Sequence, residues 1–326
     1  MQCQQIEVIR INSTILILTG AIILDLVIGD PWQKCHPIML IGGLIKKVEG
    51  FLYPETKNTG IQKLNGAILV IIVVSVSYYA SYYLIRVGGL IDQWLGYLIS
   101  LLIFTHCLAI KSLIRAGEEV EKSLAVSDLT AARNSVNKIV ARDCSQISKP
   151  EVIRATLESM AENTSDGILA PVFFFLIGGV PLAMAYKAVN TIDSMVGYKN
   201  PKNINFGWAG ARFDDLWNFI PARLTALSFI FSSLILGLDY RSSFKMILRD
   251  ASKHPSPNAG YPESAIAGAL GVRFGGTNYY HGQKSFRAYL GDPVKEFETS
   301  DINKLKNMIY ISLLIFIISA TLINLI

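Results

Sequence analysis

The chain has 326 residues, a formal net charge of +5 and a mean hydropathy of +0.39. Charged residues make up only 17% of it, against roughly 25% in soluble domains. This composition predicts an integral membrane protein. No basic stripe interleaved with aromatic residues accompanies the positive charge, so we expect no nucleic-acid partner; excess Lys and Arg is typical of cytoplasmic loops.

Three apolar segments lie in the first third of the chain. Residues 11–29 are almost wholly apolar and long enough to span a bilayer. No small-residue cleavage site follows them, so we expect a retained first span and not a signal peptide. A second span is predicted at residues 64–85 and a third near residues 94–110, joined by a short turn through Gly88 and Gly89.

The middle of the chain changes from polar to apolar. Residues 111–166 have the strongest basic bias in the chain, and by the positive-inside rule they are expected to be cytoplasmic. Residues 168–189 are apolar but interrupted by two prolines and by the pair Gly178 and Gly179. Two interpretations fit this pattern: a full span, or a broken or re-entrant helical pair whose backbone lines a polar cavity.

The last third repeats the alternation of apolar and polar segments. A span is predicted at residues 220–238, then a second long polar segment at 239–307, then a final span at 308–326. We therefore predict an all-α, polytopic integral membrane protein with about five to six hydrophobic segments, one of them broken or re-entrant. Residues 1–326 are expected to form a single membrane domain in the bilayer, with two long cytoplasmic polar segments.

A helix with an acidic face is predicted directly before the interrupted apolar segment. Ser148 and Glu151 have the spacing of a capping box. Three carboxylates follow at i, i+4 and i+8: Glu158, Glu162 and Asp166. This spacing puts them near one helix face, where like charges repel by a few tenths of a kcal/mol per pair. A cation should therefore lie among them, either Arg154 or a divalent ion.

A second group of oxygen donors follows Arg212. If this segment is helical, Asp214 or Asp215 can share a face with Asn218. Carboxylate and amide oxygens suit Mg²⁺, which also takes water and substrate phosphate. Arg212 and Arg223 flank the group with guanidinium forks that suit phosphate.

Five blocks follow one another along the chain: DLVIGDP…HP, ESMAENTSDGILAPVFF, NTIDSMVGYKN, FGWAGARFDDLWNFIPARL and HPSPNAGYPESAIAGALGVRFGG. In this order they resemble the CobD/CbiB family of membrane cobalamin-biosynthesis proteins, the adenosylcobinamide-phosphate synthases. The resemblance extends from about residue 24 to residue 282, and the tail beyond it contains no recognisable motif. Leu182 after Pro181 is a small departure, because glycine is expected there.

The resemblance implies an amide-forming ligase. Its substrates would be cobyric acid, through the free propionate carboxyl of the corrin ring, and (R)-1-aminopropan-2-ol or its O-phosphate. ATP would be the co-substrate, with Mg²⁺. The product is cobinamide or its phosphate. Because ATP and corrinoid intermediates are cytoplasmic, we expect a multi-pass protein of the cell membrane with a cytoplasmic active site. This favours the broken or re-entrant interpretation of residues 168–189. Association with other cobalamin-biosynthesis enzymes is a further expectation.

This chemistry assigns expected roles to residues of the matching blocks. The metal ligands would be Asp214, Asp215 and Asn218. The base that takes a proton from the attacking amine would be Glu162, with Glu158 and His254 as alternatives. Substrate and phosphate contacts would come from Asn163, Ser165, Asp166, Arg212, Arg223, Ser256, Asn258, Gly275 and Gly276.

Other interpretations of the same residues stay open. Asp214 and Asp215 suit an N-cap and first-turn pair, worth about 1 kcal/mol. The earlier carboxylates suit a solvated helix face paired with Arg154. At the level of the whole chain, a multi-pass transporter or a non-catalytic scaffold for corrinoid enzymes is the alternative function. The strong acids flank the spans and no inverted repeat is visible, which is unlike a carrier.

Overall fold

The computed structural model describes residues 2–29, 36–54, 56, 58–140, 142–197, 202–280 and 283–325. The helices of these residues are, in chain order, α1 (Gln2–Ile28), α2 (Pro37–Leu52), α3 (Thr59–Ile91), α4 (Gln93–Thr105), α5 (Ile110–Ala125), α6 (Leu129–Val136), α7 (Lys149–Thr164), α8 (Ala170–Val196), α9 (Asn203–Phe206), α10 (Trp208–Trp217), α11 (Phe219–Ile235), α12 (Tyr240–Asp250), α13 (Gly260–Leu270) and α14 (Ser300–Leu325). A π-helical turn (Ser165–Leu169) separates α7 from α8, and a 3-10 turn (Ala251–Lys253) follows α12. The strands are β1 (Phe274–Tyr280) and β2 (Gln283–Leu290). The end of the first motif block, GDP, falls partly outside the described residues.

Four helices of the described residues are long and apolar enough to cross a membrane. They are Thr59–Ile91, Gln93–Ala125, Lys149–Val196 and Ser300–Leu322. The bent pair Trp208–Trp217 and Phe219–Ile235 makes a fifth candidate, and Ser13–Ile28 is a shorter apolar helix. The prediction of an all-α, polytopic membrane protein is confirmed.

The chain divides into two compact units, each assembled from separate stretches. The first unit contains Met1–Ala109, Ala170–Asn218 and Ala320–Ile326. The second contains Ile110–Leu169 and Phe219–Ser319. The description of residues 1–326 as one membrane domain stays a prediction.

In the first unit, α3 and α4 meet at Asp92, so the predicted turn through Gly88 and Gly89 is wrong. Asp92 ends α3 and caps α4, where its Oδ1 accepts from the backbone N–H of Trp94 at 2.9 Å. The glycines instead lie where the helices approach closely, since a Cβ on Gly96 would be 3.0 Å from the Cα of Gly89. They are packing residues.

Also in the first unit, α8 is interrupted at Gly178 and Gly179 and folds back on itself. Gly179 has φ +68° and ψ −166°, a conformation restricted essentially to glycine. The rings of Phe174 and Tyr186 lie on either side of the break and stack with their centroids 5.0 Å apart. Twelve residues of straight helix would separate them by about 18 Å. The segment is therefore a broken helical pair.

In the second unit, the start of α7 is confirmed and a hairpin is added. The Ser148 backbone N–H donates to Glu151 Oε2 at 2.8 Å, which completes the predicted capping box. Strands β1 and β2 pair antiparallel with Gly276 opposite Arg287, and the register is irregular between Phe274 and Gly276. The sequence analysis predicts no strand here. This hairpin brings the motif-free tail into the candidate site described next.

Candidate functional site

A buried cluster of charges lies in the second unit, centred on Glu158 of α7. The Glu158 carboxylate forms ion pairs with Arg142 (Nη2 to Oε2, 2.8 Å) and with Arg154 (Nη1 to Oε1, 3.3 Å). All three side chains are less than one tenth exposed. Removing such charges from water costs several kcal/mol per ion, which is offset only by close pairing and further hydrogen bonds. Arg154 is therefore one of two arginines that form ion pairs with the acidic face of α7.

Strand β1 supplies those further hydrogen bonds. The Gly275 N–H donates to Glu158 Oε1 at 2.9 Å, and the Gly275 carbonyl accepts from Arg154. Arg142 and Arg154 both donate to the side-chain oxygen of Asn278. Gly275 has φ +83°, and a Cβ there would lie 2.2 Å from a carbonyl oxygen of β2. Only glycine brings this N–H to the carboxylate.

His254, Glu263 and Arg287 form a second group in the same unit. Arg287 donates to His254 Nε2, and His254 Nδ1 lies 3.0 Å from the Ser256 backbone nitrogen and 3.2 Å from the Ser256 carbonyl oxygen. Glu263 Oε1 lies 3.6 Å from His254 Nε2 and 3.8 Å from Arg287 Nη2. Burial, aided by the charge of Arg287, lowers the pKa of His254 to about 4. Burial raises the pKa of Glu263 well above its ordinary value.

A half-open cavity of about 160 Å³ is lined by members of both groups. Its lining is Arg142, Glu158, Glu162 and Arg287 with the polar Ser159 and Asn163 and the apolar Ile139, Val140 and Ala155. Two of the three predicted carboxylates thus meet at one cavity. Asp166 is not part of the lining; it lies in the π-helical turn, whose wider turn changes the spacing of the helix face.

Glu162 and its neighbours differ in what they contact. Glu162 makes no hydrogen bond or close ion pair with the described part of the chain, although the charges of Arg287 and Glu158 act on its carboxylate. The Asn163 amide donates to the Ser159 carbonyl oxygen at 2.9 Å and is exposed, whereas Ser165 is buried. Among the carboxylates of the cavity, Glu162 is therefore the one that is open to a ligand.

The turn after His254 collects three of the predicted phosphate-binding residues. Ser256 Oγ accepts from the backbone N–H of Asn258 at 3.2 Å. Arg223 Nη1 donates to Asn258 Oδ1 at 3.0 Å, and its guanidinium lies 3.9 Å from the centroid of the Tyr261 ring. Arg223 also donates to the carbonyl oxygens of Phe219 and Pro257. Through its hydrogen bonds to Pro257 and Asn258, Arg223 stabilises the turn that follows His254.

The predicted metal ligands lie in the first unit. Asn218 Nδ2 donates to Asp214 Oδ2 at 3.0 Å, and Asn218 Oδ1 accepts from the Tyr186 hydroxyl at 2.8 Å. Asp214 Oδ1 is buried and has no hydrogen-bond partner among the described residues. Asp215 points elsewhere, toward an exposed Arg212 at 3.7 Å.

The fit of this group to Mg²⁺ is partial. No set of three or more His, Cys, Asp or Glu side chains in the described residues is arranged to hold a metal ion. Mg²⁺, however, is commonly bound by one or two carboxylates, with waters and substrate phosphates as its other ligands. The orphaned Asp214 oxygen is compatible with that mode, whereas Asn218 already uses its oxygen for Tyr186.

Sequence reasoning assigned no site role to four residues of the charged groups, namely Arg142, Glu263, Asn278 and Arg287. The sequence did contain a sign that Glu263 is functional, because it is the one carboxylate in the helix α13, whose other residues are mostly small and apolar. Arg287 carried none, because it lies in the tail beyond the last motif block. Its position depends on the hairpin register.

These features define the class of protein: a polytopic α-helical membrane protein with a small cavity formed by buried arginine and glutamate side chains. The sequence profile described as CobD/Cbib protein matches residues 18–309. With 292 of 326 residues covered by that profile, the chain belongs to the CobD/CbiB family.

Three relatives show how far this likeness extends. The "Cobalamin biosynthesis protein CobD" of Geobacter metallireducens is 42% identical over 284 residues, which cover 87% of this chain and 88% of the relative. The protein of the same name from Clostridium perfringens is 40% identical over 287 residues (88% and 90%). That from Leptospira interrogans is 39% identical over 292 residues (90% and 92%). No solved structure matches the chain.

Proposed function

We propose that this protein is an enzyme of cobalamin biosynthesis that forms an amide bond. It joins (R)-1-aminopropan-2-ol, or its O-phosphate, to the free propionate carboxyl of cobyric acid. Family membership along nearly the whole chain supports the pathway. The observation that carries the reaction type is the charged cavity, where the open carboxylate of Glu162 lies beside the arginines that hold Glu158.

The proposed chemistry has two steps, because a carboxylate does not acylate amines at neutral pH. First, a corrin carboxylate oxygen attacks the γ-phosphorus of ATP, giving an acyl phosphate and ADP. The amine then attacks the acyl carbon, a C–N bond forms, the acyl C–O bond breaks and phosphate leaves. The proton of the attacking nitrogen passes to a base. Mg²⁺ would neutralise charge on the nucleotide phosphates.

Glu162 is the base that the geometry favours. Both oxygens of Glu158 are engaged by arginines. Nε2 of His254 accepts from Arg287. Glu162 lacks such a partner among the described residues and faces the cavity. Asp214, with its orphaned oxygen, is the favoured contributor to a Mg²⁺ site, and Arg212 is a proposed phosphate contact.

The test is an assay on purified protein in liposomes. Cobyric acid, aminopropanol phosphate, Mg²⁺ and ATP are supplied, and the corrinoid is followed by mass spectrometry. We expect the amide product with one ADP per amide. Asp214→Ala should abolish turnover, whereas the control Asp292→Ala, at a half-exposed surface carboxylate, should retain it. Product without ADP would overturn the acyl-phosphate step alone.

The alternatives predict different results in the same preparation. A carrier would move labelled corrinoid across the liposome membrane without chemical change. A scaffold would tolerate Asp214→Ala and form no amide with any amine. Either pattern in folded protein would contradict the ligase.

A further inference from the structure

Helix α12 follows closely on a helix that is apolar enough for the membrane. α11 is the C-terminal part of the fifth candidate span, and its last residue, Ile235, is more than half exposed. The helix ends where Gly237 adopts φ +67° and the N–H of Leu238 donates to the Ser233 carbonyl oxygen at 2.8 Å. α12 begins at Tyr240, after a short connection. α12 therefore starts close to the level at which the chain leaves the bilayer.

The inner face of α12 is held by other parts of the second unit. Ser243 and Asp250 are fully buried. The Asp250 carboxylate accepts from the Gly291 N–H at 2.8 Å. On the side of α13 the approach is close, because a Cβ on Gly268 would lie 2.4 Å from the Ser242 carbonyl oxygen. These contacts prevent rotation of α12 about its axis, so its opposite face stays directed outward.

The outer face of α12 consists of an apolar strip beside a basic strip. Phe244 and Leu248 are four positions apart, and so are Arg241 and Lys245, so each pair lies along one line of the helix. Phe244 is 53% exposed and Leu248 is 71% exposed. Arg241 and Lys245 are also exposed. Such a division between apolar and basic side chains is typical of helices that lie in the plane of a membrane interface.

Two cations of this face are available to an external anion. Arg249, farther along the basic side, is bound to two aspartates at 2.7 and 2.9 Å. Arg241 and Lys245 form no ion pair with the described part of the chain, although the charge of Asp239 acts on Arg241. Anionic phospholipid headgroups attract Lys and Arg at the membrane surface, and the acyl boundary below them accepts apolar side chains. A bilayer with anionic lipids thus matches both strips.

We propose that α12 lies in the membrane interface, with Phe244 and Leu248 in the acyl boundary and with Arg241 and Lys245 on the phosphates of anionic phospholipids. This lipid contact is independent of the proposed amide-forming function. Because the Asp250 carboxylate binds the backbone at the end of β2, the same contact connects the hairpin to the membrane surface.

The test measures the depth of a fluorophore on α12 in liposomes that contain the full-length protein. Leu248→Cys carries a thiol-reactive bimane in a background where Cys3 and Cys35 are replaced by Ser. The two remaining described cysteines are buried and should not react. Asn134→Cys, at an exposed position of α6, is the water-facing control. If Leu248→Cys does not fold, Phe244→Cys replaces it.

The vesicles contain phosphatidylcholine and phosphatidylglycerol at about 7:3, with or without bromine atoms on the acyl chains. We expect brominated lipid to quench the Leu248→Cys label by about half, because the side chain lies at the acyl boundary. Aqueous iodide should quench it roughly threefold less than the Asn134→Cys label. The control label should respond to iodide and not to bromine.

A pair of charge variants tests the role of the anionic headgroups. Arg241→Gln together with Lys245→Gln, in the labelled Leu248→Cys protein, should lower quenching by brominated lipid about twofold. Vesicles of phosphatidylcholine alone should have the same effect on the protein without these two substitutions. Arg273→Gln together with Lys284→Gln is the matched control, because it removes two exposed cations at the hairpin, and it should leave the quenching unchanged.

Three results would contradict the proposal. Iodide quenching of the Leu248→Cys label equal to that of Asn134→Cys would mean that α12 faces water. Shielding from both quenchers would mean that protein, such as a second copy of the chain, covers this face. Bromine quenching that is the same without phosphatidylglycerol, or without Arg241 and Lys245, would overturn the assignment of anionic headgroups.

Discussion

At the scale of single residues, Glu158 has the largest predicted effect on stability. Its carboxylate is buried against Arg142 and Arg154, and replacing it by Gln leaves two buried guanidinium groups without their counter-charge. We expect Glu158→Gln to lower the free energy of unfolding by about 3–5 kcal/mol, measured by thermal or denaturant unfolding in detergent.

Glu162→Gln, one helical turn away, is the matched control. Glu162 forms no ion pair with the described residues, so its loss should change stability by no more than about 0.5 kcal/mol. Equal destabilisation by both substitutions would show that the Glu158 cluster is not a stabilising network.

His254 gives a prediction for the pH dependence of stability. Its pKa in the folded protein is about 4, against an ordinary value of 6.5. Between these values the unfolded chain binds more protons, so the contribution of His254 is complete above about pH 6.5 and is lost as the pH falls toward 4. The loss amounts to about 3 kcal/mol at most.

The measurement is the melting temperature from pH 7 to pH 4 for wild-type protein and for His254→Asn. Carboxylates also titrate in this range, so the difference between the two proteins isolates the histidine. The wild-type protein should lose more stability than the variant. Parallel curves would mean that His254 is not held neutral by burial and by the charge of Arg287.

At the scale of elements, the fold of α8 depends on one backbone conformation. Gly179 has φ +68° and ψ −166° where the helix reverses. A Cβ there finds space, with its nearest neighbour at 3.7 Å, so the cost of Gly179→Ala is purely conformational. We expect destabilisation of about 1–3 kcal/mol, measured by thermal unfolding.

Gly43→Ala is the matched control for the break. Gly43 lies inside α2 with open space around its Cβ position, so alanine there should stabilise the helix by roughly 0.5–1 kcal/mol. If Gly179→Ala were as well tolerated, the reversal of α8 would not depend on glycine.

Elements governed by nearby residues were predictable from the sequence. Ser148 and Glu151 of the capping box are three positions apart, so the amino-acid sequence alone indicates the box. The interruption at Gly178 and Gly179 was visible for the same reason, although the two interpretations of it were separated only by the contact between Phe174 and Tyr186.

Elements that depend on distant contacts were not predictable. Arg154 was expected beside Glu158 because it is four positions away, but Arg142 reaches the same carboxylate without any helical spacing to reveal it. Arg287 comes from still farther along the chain, through a hairpin whose first strand contains paired glycines and whose strands show no regular alternation. Its position at the cavity is set by the pairing of β2 with β1, which the sequence alone does not reveal.

At the scale of the whole molecule, the surface of the candidate spans explains why the chain needs a bilayer. Ile71, Leu90 and Leu314 lie on such spans and are each more than half exposed. Exposed apolar area is unfavourable in water by roughly 25 cal/mol per Å², and lipid removes this penalty. The faces that leave these side chains uncovered are therefore lipid-facing in the membrane.

The side of the membrane on which the polar segment 111–166 lies can be tested by cysteine labelling. Its excess of Lys and Arg predicts the cytoplasmic side. Asn134 is exposed on α6, so Asn134→Cys offers a thiol there, in a background where Cys3 and Cys35 are replaced by Ser. Cys107 and Cys144 are buried and should not react. A membrane-impermeant maleimide should label Asn134→Cys only after the cells are permeabilised. Labelling in intact cells would place the segment outside, away from cytoplasmic ATP, and would contradict both the positive-inside argument and an ATP-dependent reaction at the Glu158 cavity.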